Sequence, residues 1–192
     1  MRPVSIIADV SPLRLLRLAE RSGQISVFNV SAKDNELREA CRENLFHTIP
    51  SFAMYQHAQQ QWTRKTPSSS ATARAWHQSF KKYAGARLNN RYEQSFGADM
   101  SDDAWASWAA VNILSGLIVK TGQSEPRIVS EDLRENLAFD GQKGITMTFR
   151  DTGQLRQPLL VVENGAVIGE APVKGIVNSS NLDSLGLASC LK

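Results

Sequence analysis

The sequence has little of several features that define specialised protein classes. Its 192 residues include only two cysteines, Cys41 and Cys190, too few for a disulfide-rich scaffold and not spaced as metal ligands. The net charge is only +3, and lysines and arginines are scattered along the chain, which argues against a nucleic-acid-binding protein. With 42% hydrophobic and 21% charged residues, the composition is that of an ordinary globular protein.

Long hydrophobic segments are also lacking. The apolar run at residues 4–8 is too short for a secretory signal peptide. An uncharged run at residues 104–119 contains Trp105, Trp108 and several polar residues, and it is shorter than a bilayer-spanning helix requires. We therefore expect a buried helix there.

Catalytic and metal-binding motifs are absent as well. The three histidines, His47, His57 and His77, do not have the spacing of a metal site. The sequence contains neither the glycine-flanked serine of hydrolases nor a Ser-x-x-Lys motif. We therefore expect a protein that is not an enzyme and that needs no cofactor or metal.

Alternating β-prone and helical segments predict an α/β fold in the first third of the chain. Residues 4–8 and 25–30 are β-prone, and the helix between them begins at Ser11-Pro12 and ends near Gly23. Strand, helix and strand in this order favour a parallel pair with a right-handed crossover. Two more helices are then predicted, over residues 36–44 and from Ser51 to about residue 62.

The composition changes at the serine-rich stretch 66–73, which is typical of a linker. Further helices are predicted over residues 76–96 with a break near 85, over 101–122 and over 125–136, and strands over 145–150, 158–163 and 166–171. Asn164-Gly165 predicts a tight hairpin between the last two strands. The expected fold is a short parallel sheet flanked by helices, with an antiparallel carboxyl-terminal hairpin.

Candidate ligand-binding residues follow the two predicted parallel strands. Ligands of such sheets lie beyond the carboxyl ends of the strands, near helix amino termini. The residues in these positions are Asp9 and Ser11 after the first strand, and Asn29, Ser31 and Lys33 after the second. The same residues also fit simpler roles, with Ser11 as a helix cap and Lys33 as a solvated loop charge.

Two sets of segments carry a family resemblance. The first comprises residues 7–12, 27–30 and 41–51; the second, more specific set comprises residues 76–83, 88–92, 103–111, 139–144, 148–150, 153–160 and 182–186. In this order they resemble type I periplasmic substrate-binding proteins of ABC transporters, of the branched-chain amino-acid-binding type. The subgroup associated with PQQ-dependent alcohol dehydrogenase systems is the most similar.

The resemblance implies the solute-binding component of an ABC uptake system, located in the periplasm and working with a membrane permease. Its expected ligand is a small polar organic solute linked to PQQ-dependent alcohol metabolism. In amino-acid-binding members the two loops hold the α-carboxylate and the ammonium group. Lys33 stands where those members are expected to have a small hydroxyl residue, which favours a carboxylate or another polar ligand. Whether Cys41 and Cys190 form a bridge depends on the compartment and stays open.

Members of this family have two α/β lobes, and the sequence is expected to lack most of the second lobe, the first strands and the export signal. The expected organisation is a partial amino-terminal lobe at 1–65, a serine-rich linker at 66–73, and a helical and β segment at 74–192. The alternative to solute binding is a ligand-free interaction module or a truncated remnant. Such a module would form a homodimer through the surface on which the missing lobe would pack.

Overall fold

The amino-terminal part forms a three-stranded parallel sheet in the computed structural model, which describes residues 4–190. Its elements are β1 (Ser5–Ala8), α1 (Pro12–Ser22), β2 (Ser26–Asn29), α2 (Glu36–Glu39) and β3 (Leu45–His47). The strand order is β1-β2-β3, and both pairs are parallel. The predicted parallel pair and the helix that connects it are therefore confirmed.

The helix predicted over residues 36–44 is wrong beyond its first turn. The backbone leaves the helical region at Cys41, whose φ is 46°, and the chain then enters β3. All three residues of β3 are buried, because the strand lies in the sheet and is covered on both faces. Such a strand shows no alternation of polar and apolar residues, so periodicity does not reveal it.

The next helix, α3 (Phe52–Lys65), begins where the sequence predicts. Ser51 caps it, since its hydroxyl oxygen accepts a hydrogen bond from the Met54 amide at 3.2 Å. The serine-rich stretch that follows is tied to the carboxyl-terminal part: the Glu163 carboxylate accepts hydrogen bonds from the Ser69 hydroxyl and the Ser70 amide. Strand β4 (Thr72–Arg74) starts within this stretch. The division into 1–65, 66–73 and 74–192 stays a prediction.

Three helices form the middle of the chain: α4 (Gly85–Phe96), α5 (Asp102–Thr121) and α6 (Pro126–Glu135). The signals for α5 are confirmed, because Ser101 caps its first turn and Gly122, with φ 67°, ends it. The helix predicted over residues 76–84 is wrong, since these residues form turns with positive φ at Tyr83 and Ala84. None of the helices in residues 4–190 is long and apolar enough to cross a membrane.

The second sheet is antiparallel, in the order β4-β5-β6, with β5 (Leu159–Glu163) and β6 (Ala166–Ala171). The predicted hairpin is confirmed, and both of its turn residues, Asn164 and Gly165, have positive φ as a type I′ turn requires. The strand predicted over 145–150 is wrong. That segment makes only isolated bridges, from Met147 to Phe139 and from Phe149 to Leu155.

The main hydrophobic core joins the parallel sheet to segments far along the chain. Phe28 and Phe46, from β2 and β3, pack against Phe149 with ring centroids 4.9 to 6.2 Å apart. The rings of Trp76 and Trp105 stack beside them, 6.0 Å apart and 11° from parallel. Trp105 is fully buried, whereas Val111 and Val119 of the same helix are exposed. The helix expected over residues 104–119 is therefore present, but only one of its faces is buried.

A disulfide bond joins Cys41 to Cys190, whose Cα atoms are 6.0 Å apart. The bridge encloses most of the chain, with a sequence separation of 149 residues. A loop of this length corresponds to an entropic stabilisation of about 5 kcal/mol in the chain-entropy model. The cysteine pairing that the sequence leaves open is therefore a bond between the early and the last part of the described chain.

Candidate functional site

Three loops meet at the carboxyl edge of the parallel sheet. Residues 9–11 follow β1, residues 31–35 follow β2 and residues 48–51 follow β3. Because all three strands are parallel, their carboxyl ends lie at one edge. An open cavity of about 320 Å³ lies there, lined by Val10, Ser11, Pro12, Ser31, Ala32, Lys33, Asp34 and Phe52.

Ser11 occupies the cap position of α1 but does not cap it. Its backbone is extended (φ −60°, ψ 155°), and its hydroxyl accepts no hydrogen bond from the first turn of α1. Pro12, the first residue of the helix, has no amide hydrogen. The hydroxyl and the positive end of the helix therefore face the cavity region without an internal cap.

Lys33 lies between an aromatic ring and a carboxylate. Its Nζ atom is 3.9 Å from Oδ1 of Asp103 and 5.5 Å from the ring centroid of Tyr55. Burial raises the pKa of the Asp103 carboxyl above its ordinary value, and the nearby Lys33 ammonium offsets this only in part. A pair at this distance, with both side chains partly exposed, contributes little to stability. The Lys33 ammonium is thus available to a ligand that enters the cavity.

Asn29 holds the loop after β2 through hydrogen bonds. Its fully buried side chain accepts hydrogen bonds from the amides of Ser31 and Ala32, and its Nδ2 donates to the Ala32 carbonyl at 2.7 Å. These bonds fix the turn that presents Ser31 and Lys33. Asn29 does not line the cavity, and neither does Asp9, which is exposed beside it. Direct ligand contacts by these two residues stay a prediction.

His47, at the end of β3, is buried and electrically neutral. Burial lowers its pKa well below the ordinary value, and the nearby Arg38 charge lowers it further. The Asn29 amide group lies 2.9 Å from Nδ1. Since the Asn29 Nδ2 atom can only donate, Nδ1 accepts and the ring proton resides on Nε2. His47 is therefore a structural residue of the sheet rather than an acid or base.

The buried guanidinium group of Arg38 ties the loops together. It donates to the carbonyl oxygens of Ala32 (2.8 Å), Asp34 (3.0 Å) and Ile49 (2.8 Å), and to Oε1 of Gln154 (2.9 Å). Burial lowers the Arg38 pKa to about 9, so the group stays protonated at neutral pH. One side chain thus holds the loop that carries Ser31 and Lys33 against the loop that follows β3.

Several residues of the site were not predicted from the sequence. Phe52 and Asp34 line the cavity, and the first turn of α5 brings Asp103 to Lys33. This turn is anchored by Asp102, whose carboxylate accepts hydrogen bonds from the Tyr55 hydroxyl at 2.7 Å and the Trp76 amide at 3.0 Å. In the sequence, the residue that could have indicated this part of the site is Phe52, because it directly follows Ser51, the cap of α3. It points to the site only once β3 is recognised as a third parallel strand.

The cavity combines polar, charged and apolar side chains. The cavity presents the Ser11 hydroxyl, the Lys33 ammonium, the Asp34 carboxylate and the ring of Phe52, which is 54% exposed. Hydrogen bonds, charge and an apolar surface are the usual means of holding a small polar solute. Residues 4–190 contain no group of three or more potential metal ligands.

Comparisons with known proteins find the fold but no sequence relative. No protein-family model matches the chain, and no curated protein matches it. Among solved structures, a leucine-binding protein LivK from Thermotoga maritima is similar with a TM-score of 0.65 and 9% identity, over 85% of this chain and 78% of that chain. The branched-chain amino acid transporter substrate-binding protein LivJ from Streptococcus pneumoniae, in complex with isoleucine, has a TM-score of 0.65 and 8% identity, over 87% and 78%.

A third structure, an ABC transporter substrate-binding protein from Desulfitobacterium hafniense, has a TM-score of 0.63 and 9% identity, over 85% of this chain and 79% of that chain. At identities this low, structural similarity defines the fold alone. The expected fold class is confirmed. The chain has an α/β fold that partially matches the type I periplasmic binding proteins, with a short parallel sheet, flanking helices and an antiparallel carboxyl-terminal hairpin.

Proposed function

We propose that the protein is the solute-binding component of an ABC-type uptake system and binds a small polar organic solute at the carboxyl edge of its parallel sheet. The observation that carries this proposal is the convergence of Ser11, Ser31 and Lys33 around one cavity. These residues come from two different loops. Their meeting place is the edge at which open parallel sheets bind ligands.

The finer parts of the proposal concern the solute, the partner and the location. The solute is linked to PQQ-dependent alcohol metabolism, as the sequence segments from residue 76 onward imply, and the partner is a membrane permease. A periplasmic location agrees with the disulfide between Cys41 and Cys190, because disulfides persist in oxidising compartments. The similar solved structures include ABC transporter substrate-binding proteins, which supports a role in binding rather than catalysis.

A ligand screen tests the proposal. Alcohol-derived carboxylic acids, amino acids and PQQ are added separately, and binding is measured by calorimetry and by the shift in melting temperature. A ligand at 100 times its Kd stabilises the folded state by about 2.7 kcal/mol, which corresponds to a rise of about 5–10 °C for a chain of this size. We expect saturable binding of at least one small polar compound.

Matched double variants identify the site. Replacing Ser11 and Lys33 by alanine removes a hydroxyl and an ammonium from the cavity and should abolish binding. The control replaces Ser68 and Lys81, an exposed serine and an exposed lysine outside the cavity, and should leave affinity unchanged. Equal loss in both variants, or no heat and no melting shift with any compound, contradicts the proposal.

The second candidate function is a ligand-free interaction module that forms a homodimer. It is favoured by two exposed apolar side chains: Phe52, which lines the cavity, is 54% exposed, and Leu13, which follows the lining residue Pro12, is 59% exposed. Exposed apolar groups close together mark interaction surfaces. Light scattering separates the two functions. A dimer that dissociates on replacing Phe52 by serine supports the module, and a monomer that binds solute excludes it.

A further inference from the structure

A large cavity lies at the opposite end of the parallel sheet from the candidate site. It has a volume of about 830 Å³. Gln24 and Asn44, which precede β2 and β3, line it together with residues of α6: Arg127, Ser130, Glu131 and Arg134. The lining also includes both residues of the disulfide, Cys41 and Cys190. We call this cavity the amino-edge cleft.

The last described residues reach the cleft after their final non-covalent anchors. Leu185 is fully buried, the Gly186 amide donates to Nδ1 of His57 at 3.0 Å, and the Leu187 carbonyl accepts from Nη1 of Arg150 at 2.9 Å. These contacts fix the chain as far as residue 187. The segment after that point must be held in another way if it is to stay at the cleft.

The disulfide is that other attachment. Within residues 4–190, the segment 188–190 makes no hydrogen bond to the rest of the protein, and Ala188 and Ser189 are exposed. Cys190 is partly exposed, lines the cleft and is bonded to Cys41. A segment without buried contacts or backbone hydrogen bonds belongs to the least stable part of a fold once its tether is cut.

We propose that residues 188–190 form a strap whose last residue, Cys190, lines the amino-edge cleft, and that this strap is released when the disulfide is reduced. Both cysteines are partly exposed, so a small dithiol can reach the bond. Its thiolate attacks one sulfur to form a mixed disulfide, and the other cysteine leaves as a thiolate. The second thiol of the reductant then displaces the first cysteine. Both cysteines end as thiols, and the reductant becomes a cyclic disulfide.

Release is local because the anchors at residues 185–187 do not depend on the bond. The strap leaves the cleft, whereas the buried Leu185 and the hydrogen bonds of Gly186 and Leu187 persist. In the oxidised protein the disulfide also stabilises the whole fold, because it closes a long ring, and reduction removes this contribution. The reduced protein is therefore a folded protein with an open cleft and lower global stability.

Digestion with carboxypeptidase Y, followed by intact mass, tests the strap. In the oxidised protein, trimming should stop with Cys190 retained, because the disulfide keeps it attached. In protein reduced with dithiothreitol and alkylated with iodoacetamide, residues 188–190 should be lost and trimming should slow at Leu187. The C41S variant should behave like the reduced protein without any reductant, and circular dichroism confirms that each sample is folded.

Two results overturn the proposal. Retention of Cys190 in the folded, reduced protein shows that other contacts hold the strap. Trimming beyond Leu185 shows that reduction opens more than the strap. Hydrogen exchange gives an independent measurement: reduction should increase exchange around Asn44 by a larger factor than in β5, where exchange rises only through the loss of global stability. Unchanged exchange at the cleft also contradicts the idea.

Discussion

Replacing Lys143 by methionine tests how the fold accommodates a buried positive charge. The Lys143 side chain is buried, and its Nζ atom donates to Oε1 of Gln157 at 2.9 Å and to the Pro158 carbonyl at 3.0 Å. The same atom lies 3.8 Å from the ring centroid of Trp105. No carboxylate in residues 4–190 is within salt-bridge distance of it. Burial lowers the pKa of Lys143 from 10.5 to about 7.

The shift in pKa fixes the sign of the pH effect. Between pH 7 and 10.5 the unfolded chain carries a proton on Lys143 that the folded protein has released, so unfolding takes up a proton in this window. The free energy of unfolding therefore rises with pH there, by up to about 1.4 kcal/mol per pH unit. Below pH 7 both states are protonated, and the contribution is constant. From pH 6 to pH 9 the gain amounts to roughly 2.5 kcal/mol.

Urea unfolding of the wild type and of K143M at pH 6, 7, 8 and 9 measures this gain. The variant loses hydrogen bonds and also loses the buried charge, so its stability at any one pH has no diagnostic value. The pH dependence of the difference in unfolding free energy between the two proteins is diagnostic, because the contributions of all other titrating groups cancel. We expect the wild type to gain roughly 2.5 kcal/mol relative to K143M from pH 6 to 9, while the exposed control K81M stays parallel to the wild type. Parallel curves for K143M refute the assignment of a lowered pKa.

Two further predictions concern residues that support the candidate site. Replacing Arg38 by methionine removes four hydrogen bonds. The Asp34 carbonyl and Oε1 of Gln154 lose their donor, whereas the Ala32 and Ile49 carbonyls keep bonds from Asn29 and Gln154. We expect a loss of about 3–5 kcal/mol in urea unfolding, and a loss below 1 kcal/mol, as at an ordinary surface site, would show that water replaces the guanidinium. Gly153 has φ 75°, and an added Cβ would overlap the Leu45 carbonyl oxygen. We therefore expect G153A to lower the melting temperature strongly. The control G165A lies at an open turn with a similar φ of 74° and should lower the stability by only about 1 kcal/mol. Equal losses in the two variants would show that strain at φ, rather than the overlap, determines the effect.

Local signals in the sequence predict those parts of the fold that depend on neighbouring residues. Ser101 and Gly122 define both ends of α5, and Asn164-Gly165 defines the hairpin. In each case the physical cause lies within a few residues: a cap oxygen for free amides, or a backbone that tolerates positive φ. Such elements form in the same place whatever surrounds them.

The predictions that were wrong concern segments whose structure depends on residues far away in the sequence. The strand β3 exists because Leu45 and Phe46 pair with β2 and because Gly153 and Leu155 bond to His47 from the other side. The segment 145–150 alternates like a strand, but it finds partners only at single positions. A pattern within six residues carries no information about whether a partner strand lies beside it.

The candidate site likewise contains residues that could be predicted from the sequence and residues that could not. Ser11, Ser31 and Lys33 could be predicted, because the topology of parallel strands fixes where their loops end. Asp103 comes from α5, 70 positions after Lys33 in the sequence, and reaches the site only through helix packing. Arg38 lies in a charged segment that favours an exposed helix, and its burial follows from the oxygens around it.

The bond from Arg38 to Gln154 also bears on the order in which the protein matures. The loop that carries Ser31 and Lys33 is held by the Arg38 guanidinium. Gln154, which accepts the hydrogen bond from its Nε atom, lies 116 residues later in the sequence. A growing chain that has produced only the parallel sheet contains the bonds of Asn29 and Arg38 within this loop, but it lacks the bond from Arg38 to Gln154. The carboxyl edge of the sheet is therefore completed late in synthesis, and a chain that stops before residue 154 would carry the candidate residues without the bond that joins Arg38 to Gln154.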